Sequence, residues 1–102
     1  MLPCVLIPAY QPDERMTGLL RELKEKGFSH IVVVDDGSDV ACAPLFSQAR
    51  ELGCAVLRHA INMGKGRALK TGINHCLAQG MAAQGVITAD ADGQHTAADI
   101  LK

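Results

Sequence analysis

Four short apolar runs alternate along the chain with longer segments in which apolar residues recur at helical spacing. The runs are residues 2–7, 31–34, 55–57 and 86–89. Continuous apolar or β-branched runs of this length are typical of strands that are covered on both faces and therefore need no polar alternation. The pattern predicts four strands, of which the first and the fourth are expected to be buried.

Between these runs the apolar period changes to that of an α-helix. The first predicted helix presents Met16, Leu19, Leu20 and Leu23, and the third presents Leu69, Ile73, Cys76 and Leu77 on one face. Because glycine is common just after a helix, we expect the first to end at Gly27 and the third at Gly80. The second helix is expected between Pro44 and Gly53.

Strands that alternate with helices imply parallel strands joined by right-handed crossovers. The predicted fold class is therefore α/β, a three-layer Rossmann-like parallel sheet with helices on both faces. Ligands of such sheets bind outside the carboxyl ends of the strands, and in this chain a polar cluster follows each of the four strands. We expect these clusters to meet at one edge of the sheet.

The length of 102 residues, 48% of them hydrophobic, suits one domain with one core. Thr96 and Asp99 resemble a capping box that opens a further helix, but the sequence ends at Lys102. So short a helix is unstable alone, so we expect residues 1–102 to be part of a larger, truncated domain.

Composition argues against several classes of partner. The formal net charge is −1, and there are three aromatic residues and no Trp, so neither nucleic acid nor an anionic membrane surface is an expected partner. No apolar stretch approaches the ~20 residues that span a bilayer, and no basic leader precedes an apolar segment. The expected location is the cytoplasm, including its membrane face for a full-length protein.

Cysteine and histidine spacing predicts no metal centre. The cysteines are Cys4, Cys42, Cys54 and Cys76, and the histidines are His30, His59, His75 and His95. Without a C-x-x-C pair or another ligand spacing, we interpret the cysteines as small buried hydrophobes and the histidines as surface or core-edge residues. Only His95 adjoins an acidic run, from which it could touch a diphosphate.

Asp90 and Asp92 follow the fourth strand, with Gln94 two residues further on. Carboxylates at this spacing can bring at least one oxygen to Mg²⁺ or Mn²⁺ and leave other positions for phosphates and water. The amide oxygen of Gln94 offers a third ligand. The alternative is a solvated turn that caps the next helix, which is what D-x-D alone most often signifies.

Asp35 and Asp36 follow the second strand, where carboxylates can accept hydrogen bonds from a base N–H or from ribose hydroxyls. In the alternative interpretation both residues and Ser38 bond their own backbone in a turn around Gly37. The two interpretations are compatible.

A glycine-rich turn, residues 62–66, precedes the third helix, and Lys65 or Arg67 could supply charge to an anion there. The P-loop pattern fails because His59 and Gly66 stand at its glycine and hydroxyl positions, and the dinucleotide fingerprint fails at Leu69. A helix entrance with some anion affinity and a purely structural turn both remain open.

Four segments in this order, residues 7–10, 34–39, 62–66 and 90–95, together resemble glycosyltransferase family 2. The resemblance covers essentially the whole chain and corresponds to the N-terminal, nucleotide-sugar-binding half of the GT-A fold, similar to polyprenyl-phosphate sugar transferases. It implies that Pro8, Ala9 and Tyr10 line the nucleoside pocket and that Asp35 and Asp36 meet the base and ribose.

The resemblance further implies that Lys65 lies near the nucleotide and that Asp90 and Asp92 bind the Mg²⁺ or Mn²⁺ that bridges the diphosphate, with Gln94 a third ligand. Asp90 would thereby also contact the nucleotide sugar. Many members have Tyr-Asn-Glu where this chain has residues 10–12, Tyr-Gln-Pro, so Asp13 or Glu14 would have to replace the glutamate contact.

The resemblance implies an inverting glycosyltransferase that uses a nucleotide-diphosphate sugar and an acceptor such as a polyprenyl phosphate or a growing glycan. Its general base is expected beyond Lys102. Two alternatives remain: a nucleotidyltransferase, which would usually carry a glycine-rich basic segment after the first strand, and a non-catalytic nucleotide-binding remnant.

Overall fold

A computed structural model describes residues 2–91 of the chain. Its elements are β1 (Cys4–Ala9), α1 (Glu14–Glu25), β2 (Ile31–Asp36), a 3₁₀ turn (Val40–Cys42), α2 (Ala43–Glu51), β3 (Ala55–His59), α3 (Lys65–Ala78) and β4 (Val86–Thr88). The predicted ligands Asp92 and Gln94, as well as His95 and the capping box at Thr96, lie outside the described residues.

The four strands form one parallel sheet in the order β3-β2-β1-β4. The helices α1 and α2 pack on one face of the sheet and α3 packs on the other. The predicted three-layer α/β class is confirmed. Because all strands are parallel, their carboxyl ends share one edge, and the loops that follow β1, β2, β3 and β4 meet there.

Local signals place α1 as the pattern predicted. Asp13 is the N-cap and accepts the backbone N–H of Arg15, which satisfies one of the donors that a helix start leaves unpaired. The four predicted apolar residues are all buried. After the helix, Gly27 has φ +96°, a left-handed conformation that suits glycine and ends the helix.

The strand β2 is two residues longer than the run of β-branched residues that predicted it. It includes Asp35 and Asp36, which pair in register with Ala9 and with His59 at the carboxyl edge. The two aspartates are therefore strand residues, and successive side chains of a strand point to opposite faces.

The buried face of α3 agrees with the prediction at Cys76 and differs from it elsewhere. Its fully buried positions carry small residues, namely Ala68, Gly72 and Cys76. Ile73 and Leu77, predicted for the core, are 41% and 65% exposed, whereas Leu69 is partly buried. The prediction favoured the large apolar residues, but α3 lies so close to the sheet that only small side chains fit between them.

Gly72 shows how close α3 and β1 are. A Cβ atom on Gly72 would overlap Leu6 Cδ1 and would lie 2.9 Å from Cδ2 and 3.0 Å from Cγ of the same side chain. One turn further along the helix, the sulfur of Cys76 lies 3.3 Å from that of Cys4 on β1. Small residues at a spacing of four thus permit the helix to pack tightly on the strand.

The strand β4 was predicted to be buried, and this is wrong within the described part of the chain. It pairs with β1 at the edge of the sheet, where Val86 and Ile87 are half-buried and Thr88 is exposed. Its extended path continues for one more residue, because the N–H of Ala89 donates to the carbonyl of Leu6 at 3.0 Å. This path leads directly to Asp90.

All four cysteines are free, and Cys4, Cys54 and Cys76 are buried as expected, whereas Cys42 is half-exposed. Burial raises the pKa of Cys4 to about 12, and its hydrogen bond with Cys76 adds to the effect. The three buried thiols therefore serve to pack the core. Among residues 2–91, no helix has the length and apolar character needed to cross a bilayer.

Candidate functional site

A cleft of about 350 Å³ opens at the carboxyl edge of the sheet. It is lined by Pro8, Ala9, Tyr10, Asp36, Asn62, Gly64, Lys65, Asp90 and Ala91. These residues come from the loops or ends of all four strands. Six of the seven residues predicted for the nucleotide-sugar site meet here, and Asp35 is the one that does not.

The end of β1 reaches the cleft through Pro8 and Ala9, and Tyr10 follows with 56% of its surface exposed. Next in sequence, Gln11 has φ +50°, an uncommon conformation for a residue with a side chain. Its N–H donates to Ser38 Oγ at 2.9 Å, and its Oε1 accepts the N–H of Asp39 at 2.6 Å. These bonds hold the loop after β1 against the loop after β2.

Asp13 and Glu14 were the candidates to replace the family's glutamate. The carboxylate of Asp13 caps α1 and receives Arg15 Nε and Nη2 at 2.9 to 3.1 Å. The side-chain bond from Arg15, followed by the backbone bond, lowers the pKa of Asp13. Asp13 thus has a structural role, and neither candidate lines the cleft.

Asp36 is buried and receives four hydrogen bonds. Its Oδ1 accepts from His59 Nδ1 at 2.7 Å and from the N–H of Met63 at 2.9 Å, and its Oδ2 accepts from the N–H of Gly64 at 2.9 Å and from Asn62 Nδ2 at 3.3 Å. A carboxylate offers about four lone-pair sites, and here the protein fills all of them.

The pKa of Asp36 reflects the balance between its burial and these bonds. Burial raises the pKa, but the bonds from His59, Met63 and Gly64 outweigh burial and leave it below the usual value of 3.8. Asp36 therefore stays ionised near neutral pH and holds the loop before α3. Its contact with base or ribose stays a prediction, which would require one of these bonds to be exchanged.

Asp35 lies on the other side of β2. It accepts the N–H of Ser38 at 2.8 Å, and its Oδ2 lies 3.8 Å from Arg58 Nε. It lines a separate, smaller cleft of about 110 Å³ and is absent from the lining of the larger one. The bond to Ser38 is what the turn interpretation expects, and the contact of Asp35 with base or ribose stays a prediction.

Gly37 brings the loops after β2 and β3 together. Its φ is +74°, and a Cβ atom there would collide with the backbone of Ile61 and Asn62, including the Ile61 carbonyl oxygen at 2.7 Å. Only glycine fits such a conformation against neighbouring backbone without strain. The cleft therefore depends on this position for the placement of Asn62.

Lys65 and Asp90 form an ion pair within the cleft, with Lys65 Nζ 3.1 Å from Asp90 Oδ1. Lys65 is the first residue of α3, and Asp90 follows β4. Across residues 2–91, no three His, Cys, Asp or Glu side chains form a group that could hold a metal ion. One carboxylate that shares a site with substrate phosphates is nonetheless a usual magnesium arrangement, so Asp90 fits the predicted role chemically.

The sequence interpretation missed His59, which it assigned to the surface or the core edge. Besides its bond to Asp36, His59 places Nε2 2.8 Å from Thr71 Oγ1 on α3. The register in which His59 pairs with Asp36 is not visible in the sequence. The available signal was its position, since polar residues that directly follow a buried strand reach the carboxyl edge.

Comparison with known proteins gives matches over nearly the whole chain. A protein of Methanocaldococcus jannaschii described as uncharacterised is 40% identical over 98 residues, covering 96% of this chain and 38% of the relative. A UDP-N-acetylglucosamine–dolichyl-phosphate N-acetylglucosaminyltransferase of Methanococcus voltae is 28% identical over 96% of this chain and 44% of its own length. A dolichyl-phosphate beta-glucosyltransferase of Trichomonas vaginalis is 33% identical over 87% of this chain and 30% of its own length.

The chain thus spans between 30% and 44% of the length of these curated relatives. No solved structure gives a significant match. The sequence matches the family described as Glycosyl transferase family 2 over residues 4–102, which include every strand and helix that forms the cleft. The chain belongs to glycosyl transferase family 2.

Proposed function

We propose that this chain is the donor-binding part of a glycosyltransferase that moves a sugar, with inversion, from a nucleotide-diphosphate sugar to a polyprenyl phosphate. Membership of the family supports sugar transfer. The names of two relatives, each acting on a dolichyl phosphate, support the class of acceptor. The family match also favours this function over nucleotidyl transfer.

The observation that carries the proposal is the cleft at the carboxyl edge. Its volume of about 350 Å³ lies in the range of small-molecule sites, and four separate segments line it. Tyr10 offers an exposed ring for stacking on a base, and Lys65 offers a cation for phosphates. A nucleoside diphosphate carries both kinds of group.

The proposed cofactor is Mg²⁺ or Mn²⁺, with Asp90 as its ligand among the described residues and Asp92 and Gln94 as further ligands. When bound, the cation supplies Lewis-acid stabilisation to the departing diphosphate. Asp90 now pairs with Lys65, and a cation at Asp90 would compete with the lysine for the carboxylate. Lys65 would then be available to the phosphates.

Isothermal titration of the full-length protein tests this proposal, with UDP-, GDP- and dTDP-sugars each added with and without Mn²⁺. We expect one nucleotide to bind and its affinity to rise with metal. Asp90→Asn should weaken metal-dependent binding by about tenfold or more, because an amide oxygen is a poorer ligand for a hard cation. Glu51→Gln, a matched change at the exposed last residue of α2 outside the cleft, should leave the affinity unchanged.

Each other outcome has a distinct meaning. Failure of the full-length protein to bind any nucleotide would overturn the proposal. Release of pyrophosphate from a nucleoside triphosphate would identify a nucleotidyltransferase. Metal-dependent binding without transfer of sugar to a polyprenyl phosphate would identify a non-catalytic nucleotide-binding remnant or a different acceptor, and a glycan acceptor would distinguish the two.

A further inference from the structure

A chain of three side chains joins β2, β3 and α3 behind the cleft. Asp36 Oδ1 lies 2.7 Å from His59 Nδ1, and His59 Nε2 lies 2.8 Å from Thr71 Oγ1. The side chains of Asp36 and His59 are only 4% and 9% exposed. Because the carboxylate only accepts hydrogen bonds, Nδ1 of His59 carries a proton and donates it to Asp36, while Nε2 meets the hydroxyl of Thr71.

We propose that His59 is a positioning residue of the donor cleft, which acts through Asp36 to fix the backbone of residues 62–64 and thereby the place of Lys65. The part that concerns donor binding rests on the proposed function above. The part that concerns the loop rests only on the contacts of Asp36. His59 itself does not line the cleft.

The contacts explain why the histidine matters for this loop. The N-cap of α3, Gly64, has no side chain that caps the helix, and its N–H is instead bound by Asp36. Asp36 Oδ1 serves His59 and the N–H of Met63 together. Loss of the Nδ1–H bond leaves a buried carboxylate under-satisfied, and water that enters to replace the donor competes with the two backbone N–H groups.

Two substitutions at the same position separate the two hydrogen bonds of His59. The amide nitrogen of His59→Asn takes approximately the place of Nδ1 and retains the donor to Asp36, whereas that of His59→Gln takes approximately the place of Nε2 and loses it. Thr71→Val is the matched control, because it removes the bond to Nε2 alone. A role limited to packing would not distinguish asparagine from glutamine in this order.

The first measurement is hydrogen exchange of the backbone amides of Met63 and Gly64 in the full-length protein. We expect exchange in His59→Gln to be about tenfold faster or more than in the parent. His59→Asn and Thr71→Val should stay within about threefold of the parent, since neither removes a donor to Asp36. Equal exchange in His59→Gln and His59→Asn, or the reverse order, would overturn the proposal.

The second measurement is the dissociation constant for UDP and for GDP, each with Mn²⁺. We expect the constant of the nucleotide that binds to rise about tenfold in His59→Gln and to change little in the other two variants. If the parent binds neither nucleotide, the proposed function fails, and amide exchange still decides the role of His59. If the parent binds and all three variants bind equally well, the inference about the cleft fails.

Stability is measured alongside, because His59→Gln removes a bond to a buried group. If that variant does not fold, the remaining two variants decide the question. Both must then keep the amides of Met63 and Gly64 protected to within about threefold of the parent. Faster exchange in either variant would overturn the proposal, because both retain a donor to Asp36 and are expected to keep the loop protected.

Discussion

Gly37→Ala is the sharpest perturbation of the cleft that replaces none of the residues that line it. The added Cβ meets two separate costs. The backbone at φ +74° costs an L-residue about 1–2 kcal/mol. The Cβ also collides with the backbone of Ile61 and Asn62, which cannot rotate away as a side chain would, and overpacking of this kind costs about 1–3 kcal/mol. The free energy of unfolding should fall by about 2–5 kcal/mol in total.

Gly80→Ala separates the two costs. Gly80 has φ +69°, nearly that of Gly37, but no atom lies within 4 Å of a Cβ built there. Gly80→Ala should therefore lose only about 1–2 kcal/mol. The reduced entropy of the unfolded chain favours alanine at both positions and cancels in the comparison.

Urea unfolding of the two full-length variants measures the difference, read at equal m-values. We expect Gly37→Ala to be the less stable by about 1–3 kcal/mol and to bind nucleotide more weakly, because the loop that carries Asn62 must move. Gly80→Ala should bind as the parent does, since Gly80 follows the far end of α3. Equal losses of stability in the two variants would refute the close approach of the two loops.

Two further predictions concern α3 and Asp36. Gly72→Ala and Gly18→Ala each add a methyl group inside a helix and gain about 1 kcal/mol of helix propensity, but only Gly72 faces β1. In urea unfolding, Gly72→Ala should therefore be the less stable variant by about 1–3 kcal/mol. Equal stabilities would contradict the tight packing of α3 on β1. The lowered pKa of Asp36 contributes stability that is present above pH 3.8 and is lost as the pH falls through the folded-state pKa. When the free energy of unfolding is measured against pH, Asp36→Asn should therefore lose less stability on acidification than the parent does. An equal loss in both proteins would argue against this contribution.

Local patterns predicted the architecture because apolar strand segments, helical periodicity and the glycines that end helices can each be recognised within a short stretch of sequence. Where the prediction failed, one boundary or one distance was responsible. The β-branched run ends at Val34, which placed Asp35 and Asp36 together in a turn, but the strand continues through both and its alternation separates them. Similarly, Ile73 and Leu77 are more hydrophobic than Gly72, and the prediction therefore favoured them for the buried face of α3. The short distance between α3 and the sheet, which only small residues allow, cannot be read from the sequence pattern.

Convergence of the site followed from topology alone, because parallel strands bring their carboxyl ends to one edge. The individual contacts did not follow. Lys65 and Asp90 pair across 25 residues, and Asp36 binds the N–H of Gly64 across 28. Such pairs depend on strand register and loop path, which a single sequence does not encode in any local signal.

The donors to Asp36 all lie 23 to 28 residues after it in sequence. During synthesis the carboxylate emerges well before them and remains hydrated until β3 and the start of α3 have arrived. No peptide that ends before Gly64 contains the complete set of donors. The loop before α3 can therefore reach its final place only when β3 and the start of α3 are present beside β2, and any truncation before Gly64 should leave Asp36 without part of its donor set.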